Sequence, residues 1–254
     1  LSSKKSIVFL GSKAIGYDCL KHLLDNQSVL NVEVIAALVK ADHLLADEGK
    51  NILHLCEEND LVVLPNLDYL LDFESLDYLI SVQYHQILKV QHLSVAKELA
   101  LNLHMAPLPE YRGCNQFSFA IANEAKTFGT SIHVMNEDID AGDLLFEKRF
   151  AMPEDVWVKD LYQLTVEASL ELFKESLPKL LSGDYTARRQ SSLLLERGSN
   201  TYFRNQIDDL KRIDLSWTKE KIARHIRATW FPPYDPPYYL EDGIRIIVGP
   251  DFIA

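Results

Sequence analysis

Apolar positions follow two rhythms over the first 150 residues. Short unbroken apolar runs at 6–10, 32–39, 61–64, 78–82 and 99–104 predict buried strands. Between them, 14–24, 50–58 and 115–125 carry apolar residues three and four apart, as at Ile15, Cys19, Leu20, Leu23 and Leu24, and predict helices. Strands alternating with helices imply a parallel sheet with both faces covered. Two β-rich runs, 130–135 and 144–150, follow with no helix between them and end the sheet. The stretch 156–181 then predicts one long amphipathic helix whose buried stripe is Leu161, Leu164, Ala168, Leu172, Leu177, Leu180 and Leu181.

The rhythm weakens beyond this helix. Residues 182–214 are polar and read as a linker with short strands, followed by a helix over 219–229. The proline-rich run from Phe231 to Tyr239 cannot be helical, and 238–240 with 244–248 around Asp242-Gly243 predicts a hairpin. The expected architecture is α/β: a Rossmann-like parallel or mixed sheet flanked by helices over 1–183, and a small helix plus β-hairpin module over 184–254. No internal repeat or low-complexity tract interrupts this plan.

Composition narrows the function classes. Hydrophobic residues at 47% and charged residues at 25% are ordinary globular usage, which excludes disorder and fibrous repeats. A net charge of -11 with no basic cluster argues against a nucleic-acid partner. The three cysteines, Cys19, Cys56 and Cys114, are odd in number and far apart, which fits a reducing cytoplasm and no disulfide framework. No run approaches the roughly 18 to 20 apolar residues that span a bilayer, and Leu1-Ser2-Ser3-Lys4-Lys5 leads directly into a strand without a signal-peptide pattern. The first residue is not Met, so the segment upstream stays open.

The chemistry concentrates in two motifs. The run from Asn102 to Gly113 reads NLHMAPLPEYRG, and Asp138-Ile139-Asp140-Ala141-Gly142-Asp143 follows downstream. Residues two apart in a strand share a face, so Asn102 and His104 can aim an amide and an imidazole at one point, and Asp140 can complete the set. A neutral imidazole accepts a proton from an attacking amine and a carboxylate stabilises the imidazolium, together worth about 10² to 10⁴ in rate. An amide N–H of Asn102 can hold the oxyanion of an attacked carbonyl. On residue type alone the plainer alternatives stand: a strand-end His and Asn satisfying backbone groups, and Asp138, Asp140 and Asp143 as a solvated turn.

Other chemistries lack support. There is no Gly-x-Ser-x-Gly elbow, Cys114 has no base partner in view, and the eight histidines show no zinc-ligand spacing, so no metal is expected. His133, His92 and His43 read as structural or surface positions. Gly11-Ser12-Lys13-Ala14-Ile15-Gly16 is either a tight strand-to-helix turn or a phosphate contact made with Lys13.

The segment from Leu101 to Phe150 resembles the core of the formyltransferases that use 10-formyltetrahydrofolate. The pattern is Asn-x-His, a Leu-Pro-x-aromatic-basic-Gly run, then Gly-x-Ser/Thr leading to Asp-x-Gly, and all three parts stand here in order. The resemblance implies a Rossmann-like fold, the trio Asn102, His104 and Asp140 as catalytic residues, and a folate site on Gln86, Ile87 and Leu88 and on Asn136, Glu137, Asp138, Ile139 and Asp140. It also implies a mechanism in which a neutral amine attacks the formyl carbon.

Three branches of that family compete, acting on glycinamide ribonucleotide, methionyl-tRNA or nucleotide-linked amino sugars. The first usually ends near the long helix, whereas this chain continues about 70 residues further. The second carries a larger, basic C-terminal barrel. The third is the best match at Gly11-Ser12-Lys13, at Ser81-Val82-Gln83-Tyr84-His85 and at Phe231-Pro232-Pro233-Tyr234. It implies substrate contacts from Ser12, Lys13, Gln83 and Tyr84, with Trp230, Phe231 or Tyr234 stacking on the base. Cys114 stands where enzymes acting on UDP-aminoarabinose carry Arg, which favours a dTDP-linked 3- or 4-amino-dideoxyhexose of the kind found in bacterial O-antigen and lipopolysaccharide. A homodimer through a sheet edge or the C-terminal hairpin is implied. The alternatives are a compact methionyl-tRNA formyltransferase-like enzyme and a non-catalytic nucleotide-sugar-binding relative.

Overall fold

A computed structural model describes residues 3–40 and 49–253; His43 lies outside the described residues. The apolar runs become β1 (Lys5–Ser12), β2 (Val32–Lys40), β3 (Leu76–Val82) and β4 (Ala96–His104), and the later ones β6 (Thr127–Val134) and β7 (Leu144–Ala151). They form one six-stranded sheet in the order β2-β1-β3-β4-β6-β7. The first four strands run parallel, and β6 and β7 are antiparallel. The sheet is therefore mixed, with its change of direction at the β4/β6 boundary.

Ile7, Val8, Phe9 and Leu10 of β1 are all fully buried because both sheet faces are covered. One face packs on helices α1 (Lys13–Leu30), α2 (Ile52–Glu58) and α5 (Val158–Ser182), through Ile15, Leu20, Leu172 and Leu177. The other meets Leu67, Leu70 and Leu88 from the connections around β3, with the short helix α3 (Val90–Leu93) beyond them. Connections from β1 leave toward β2 on one side and return to β3 on the other. This reversal places a crevice at the carboxyl ends of β1 and β3.

Three expectations change. The strand expected at 61–64 is only an isolated bridge between Ala37 and Val63. Its Val62 and Val63 side chains are exposed, so no second face anchors a strand there. In α5 Leu164 is exposed, while Thr165, Ser169, Phe173 and Ser176 join Leu161, Ala168, Leu172, Leu177 and Leu180 inside. Small hydroxyl residues are tolerated there because they find partners: Thr165 Oγ1 donates to the Leu161 carbonyl (2.7 Å) and Ser169 Oγ to Thr130 Oγ1 (2.9 Å).

The expected linker of short strands is mostly helical turns, including α6 (Leu194–Arg197) and α7 (Ile207–Lys211). Its two-residue strand β8 (Thr201–Tyr202) pairs in parallel with the two-residue β5 (Arg112–Gly113). Helix α8 (Lys219–Thr229) then lies beside α4 (Gln116–Ala122), with Ala228 and Phe231 against Ala106, Ala120 and Phe128. Arg224 pairs with Glu124 (2.9 Å) and Arg227 with Asp155 (2.7 Å). The hairpin of β9 (Tyr238–Glu241) and β10 (Ile244–Ile247) turns at Gly243, whose φ of +81° suits glycine.

Candidate active site

Asn102 and His104 lie at the carboxyl end of β4 on one face, as their spacing dictates. Across the ladder Asn102 pairs with His133 of β6, so cross-strand register delivers a second imidazole to the same face. The loop after β6 brings Asp140 over this face in a left-handed conformation, φ +50°. Its Oδ2 lies 3.5 Å from His104 Nδ1, and its Oδ1 lies 3.4 Å from both His133 Nε2 and Asn102 Nδ2. Gly113 N donates to Oδ2 at 2.9 Å. One carboxylate is thus shared by two imidazoles, an amide and a backbone N–H.

Burial opposes charge on Asp140, but the attraction of the His104 and His133 rings in their imidazolium form and the Gly113 N–H outweigh it. They hold the carboxyl well below the usual carboxylate range. Both ring tautomers are fixed by backbone carbonyls. His104 Nε2 donates to the Tyr111 carbonyl at 2.7 Å, leaving Nδ1 as the proton acceptor beside Asp140. An imidazolium formed there has a carbonyl on one N–H and a carboxylate on the other. His133 Nδ1 donates to the Val134 carbonyl at 2.9 Å, so Nε2 accepts from Asn102 Nδ2 at 3.2 Å. The β4 backbone is pinned from behind, since Thr130 Oγ1 donates to the His104 carbonyl and itself accepts from Ser169.

The glycines of both motifs have steric reasons. A Cβ at Gly113, φ +84°, would strike the Tyr202 carbonyl, and one at Gly142 would strike the Val134 carbonyl. Both loops are held backbone against backbone, which fixes the Asp140 carboxylate over the sheet end.

An open cleft of about 620 Å³, its mouth included, lies beside the trio. It is lined by Asn102, His133 and Asp140 together with Gln86, Ile87, Leu88, Asn136, Glu137, Asp138 and Ile139, so the residues expected to hold folate share one concavity with Asn102 and Asp140 of the expected trio, while His104 lies buried behind it. Tyr84 and Ser81 also line it. Ile87 is 71% exposed and Ile139 41%, so an apolar lip stands open to solvent.

Ser12, Lys13 and Gln83 meet at the β1/β3 crevice. Ser12 Oγ donates to the Gln83 carbonyl and Lys13 Nζ to Gln83 Oε1 at 3.1 Å, with Lys13 and Gln83 both at positive φ. Trp230, Phe231 and Tyr234 line a separate apolar recess with Pro232, Pro233 and Pro236. Trp230 also packs with Ile213, Ile222, Ile226 and Val248, whereas Tyr234 is exposed. Among the described residues no cluster of three or more potential metal ligands occurs.

Of the two alternatives read for His133, structural or surface, the first holds: it is buried against Asp140. Its placement comes from the β4/β6 register, in which His133 and Ser131 stand opposite Asn102 and His104 on one face. Buried Gln190, which also reaches the Asp140 loop, had no sequence signal. His92 stays structural, its Nδ1 accepting from Lys89 N.

Comparison with known proteins agrees with this architecture. Residues 5–177 match the formyl transferase family. A GDP-perosamine N-formyltransferase from Brucella melitensis is 30% identical over 167 residues, covering 66% of this chain and 62% of that protein. The chain thus spans about three fifths of that relative. A methionyl-tRNA formyltransferase from Geobacillus thermodenitrificans is 27% identical over 94% of this chain and 75% of its own length. The solved N-formyltransferase from Helicobacter canadensis, in complex with folinic acid and dTDP-3-aminofucose, superposes with a TM-score of 0.76 at 22% identity, covering 96% of this chain and 86% of that one. With the family match extending over more than half of its length, the chain belongs to the formyl transferase family.

Proposed function

We propose that this protein transfers a formyl group from 10-formyltetrahydrofolate to the amine of a nucleotide-linked amino-dideoxy sugar, with a dTDP-linked 3- or 4-amino-dideoxyhexose as the first choice of acceptor. The observation that carries this reading is the Asp140 carboxylate shared by His104 and His133 at the wall of the open cleft. In this reading the neutral amine forms a C–N bond to the formyl carbon, and an N–H of Asn102 turns from Asp140 to hold the oxyanion. His104 Nδ1 accepts the amine proton beside Asp140, and collapse breaks the bond from the formyl carbon to the folate nitrogen, which takes the proton from His104 as it leaves. Backbone groups and apolar side chains of 86–88 and 136–140 hold the pterin.

Features at the edge of the cleft and outside it support this choice of acceptor. Lys13 at the β1/β3 crevice, with Ser12 and Gln83, suits a pyrophosphate at a topological switch point. Tyr84 at the cleft edge faces the sugar, and Phe231 and Tyr234, backed by Trp230, offer aromatic faces to a base. The protein works in the cytoplasm with reduced cysteines, in polysaccharide synthesis, as a homodimer whose exposed Ile244 and Ile247 on the hairpin supply an apolar surface. No helix among the described residues is long and apolar enough to cross a membrane. The chain divides into a catalytic domain over 1–183 and a C-terminal module over 184–254 in this reading.

The second reading is methionyl-tRNA formylation, favoured by the Geobacillus relative's alignment over nearly all of this chain. The net charge of -11 weighs against it. Incubation with 10-formyltetrahydrofolate and a panel of dTDP-, GDP- and UDP-amino sugars, with methionyl-tRNA as a separate acceptor, decides by product mass. One formyl group gained by a nucleotide sugar is the expected result. Formylation of the tRNA alone would overturn the assignment, and folate binding without transfer to any acceptor would support the non-catalytic relative.

A further inference from the structure

Gln190 lies beyond the segment that matches the family and outside the cleft lining, yet it is 2% exposed and all its polar atoms are engaged at the catalytic loops. Its Nε2 donates to the carbonyls of Asp140 (2.8 Å) and Gly142 (2.7 Å). Its Oε1 accepts from Arg112 Nε (3.0 Å) and Nη2 (2.8 Å). One amide therefore joins the loop that carries the carboxylate to the loop whose next residue, Gly113, donates to that carboxylate.

The flanking chain is fastened to the same two loops. Arg188 and Leu144 exchange backbone hydrogen bonds (2.8 and 2.9 Å), and Arg112 N and Cys114 N donate to the carbonyls of Asn200 and Tyr202. The backbone contacts align the segment, and Gln190 fixes the distance between its two clients. A side chain that needs two donors on one nitrogen and an acceptor at its other end is a terminal amide; a carboxylate could not donate to the two carbonyls. The Asp140 backbone needs such a hold because it sits at φ +50°, a conformation costly for a residue with a Cβ.

We propose that Gln190 is a positioning residue for formyl transfer, holding Asp140 at the distance from which it orients His104 and His133. The inference rests on the function proposed above for its effect on turnover, but not for its effect on the imidazoles. In Gln190→Met, which keeps the bulk and loses all four hydrogen bonds, kcat falls at least about tenfold while KM for the nucleotide sugar stays within about twofold. Gln190→Glu, which keeps an acceptor for Arg112 and sets oxygen against the two carbonyls, falls further.

The test pairs those kinetics with long-range 1H–15N spectra of protein labelled at histidine, recorded without substrate. The ring nitrogens of His104 and His133 shift together in Gln190→Met, while those of His92, far along the chain and bonded to Lys89, do not. Unmoved His104 and His133 signals would overturn the proposal, whether or not the wild type transfers formyl, and so would a kcat within twofold of wild type. If Gln190→Met fails to fold, Gln190→Asn, shorter by one methylene, replaces it with the same expected shifts. Failure of both to fold would make Gln190 a stability residue and overturn the positioning role.

Discussion

The two halves of the sheet solve different problems. In the parallel half, the inner strands β1 and β3 are buried on both faces and apolar through their middles, as in the fully buried Ile7–Leu10 run. In the antiparallel half, β6 buries Thr130, Ser131 and His133, and each has a polar partner on β4, its following loop or the end of β6 itself. The boundary strand β4 belongs to both: Asn102 pairs with Ser81 of β3 on one side and with His133 of β6 on the other, and His104 ends the strand beside β6. The lesson is that the parallel half supplies rigidity, and the change of strand direction supplies a polar face on which three side chains and one carboxylate can be preorganised.

The largest test of that contrast is at the carboxylate. Asp140→Asn removes the charge that stabilises an imidazolium, and kcat should fall about 10²- to 10⁴-fold with the fold retained. Because the folded pKa of Asp140 lies below the usual range, it stays ionised through ordinary assay pH, and the acid limb of the wild-type pH–rate profile should not report its titration. A limb that vanished in Asp140→Asn alone would break this account.

The parallel half should respond in stability and not in chemistry. Leu20→Ala, in the α1 face that packs on the sheet, should cost roughly 2 to 5 kcal/mol in denaturant unfolding, while kcat per folded molecule stays within about twofold. A selective loss of kcat there would blur the division.

Glu147 of β7 tests the outer edge of the antiparallel half. Burial opposes its ionisation, but Arg197, Arg188 and Arg149 hold it down at about 2. Its folded pKa is depressed, so its stabilisation is complete above the ordinary glutamate value and is lost as pH falls from about 4.5 toward about 2. Glu147→Gln should lower stability by roughly 1 to 3 kcal/mol at pH 7, and the gap to wild type should narrow through that window. A gap constant down to pH 3 would show that packing, not charge, sets the cost.

The smallest effect is expected at the β1/β3 crevice. Lys13→Ala should raise KM for the nucleotide sugar by about tenfold, the weight of one charge-assisted contact, with kcat nearly unchanged. A fall in kcat without a change in KM would move Lys13 out of the binding role.

Legibility in the sequence follows the same boundary. The parallel strands were visible because burial on both faces leaves continuous apolar runs, and the exception at 61–64 failed because its valines face solvent. Asn102 and His104 were visible because strand periodicity puts them on one face, and Asp140 because its motif is local. His133 was hidden because its role depends on the register between β4 and β6, which no single strand encodes. Gln190 was hidden for a stronger version of that reason, since it returns to Asp140 from 50 residues along the chain through a segment without periodicity. The turned stripe of α5 was misread because Thr165 and Ser169 are polar by type but satisfied inside.

The central claim is that the polar end of β4 and β6 performs formyl transfer with His104 as the proton acceptor. A single-turnover reaction of enzyme-bound 10-formyltetrahydrofolate with the accepted nucleotide amino sugar, read by mass for wild type and His104→Ala, tests it most directly. One formyl group on the sugar is expected in the wild type, and at least about a 10²-fold slower step in the variant with folate still bound. Equal rates in the two proteins would contradict it.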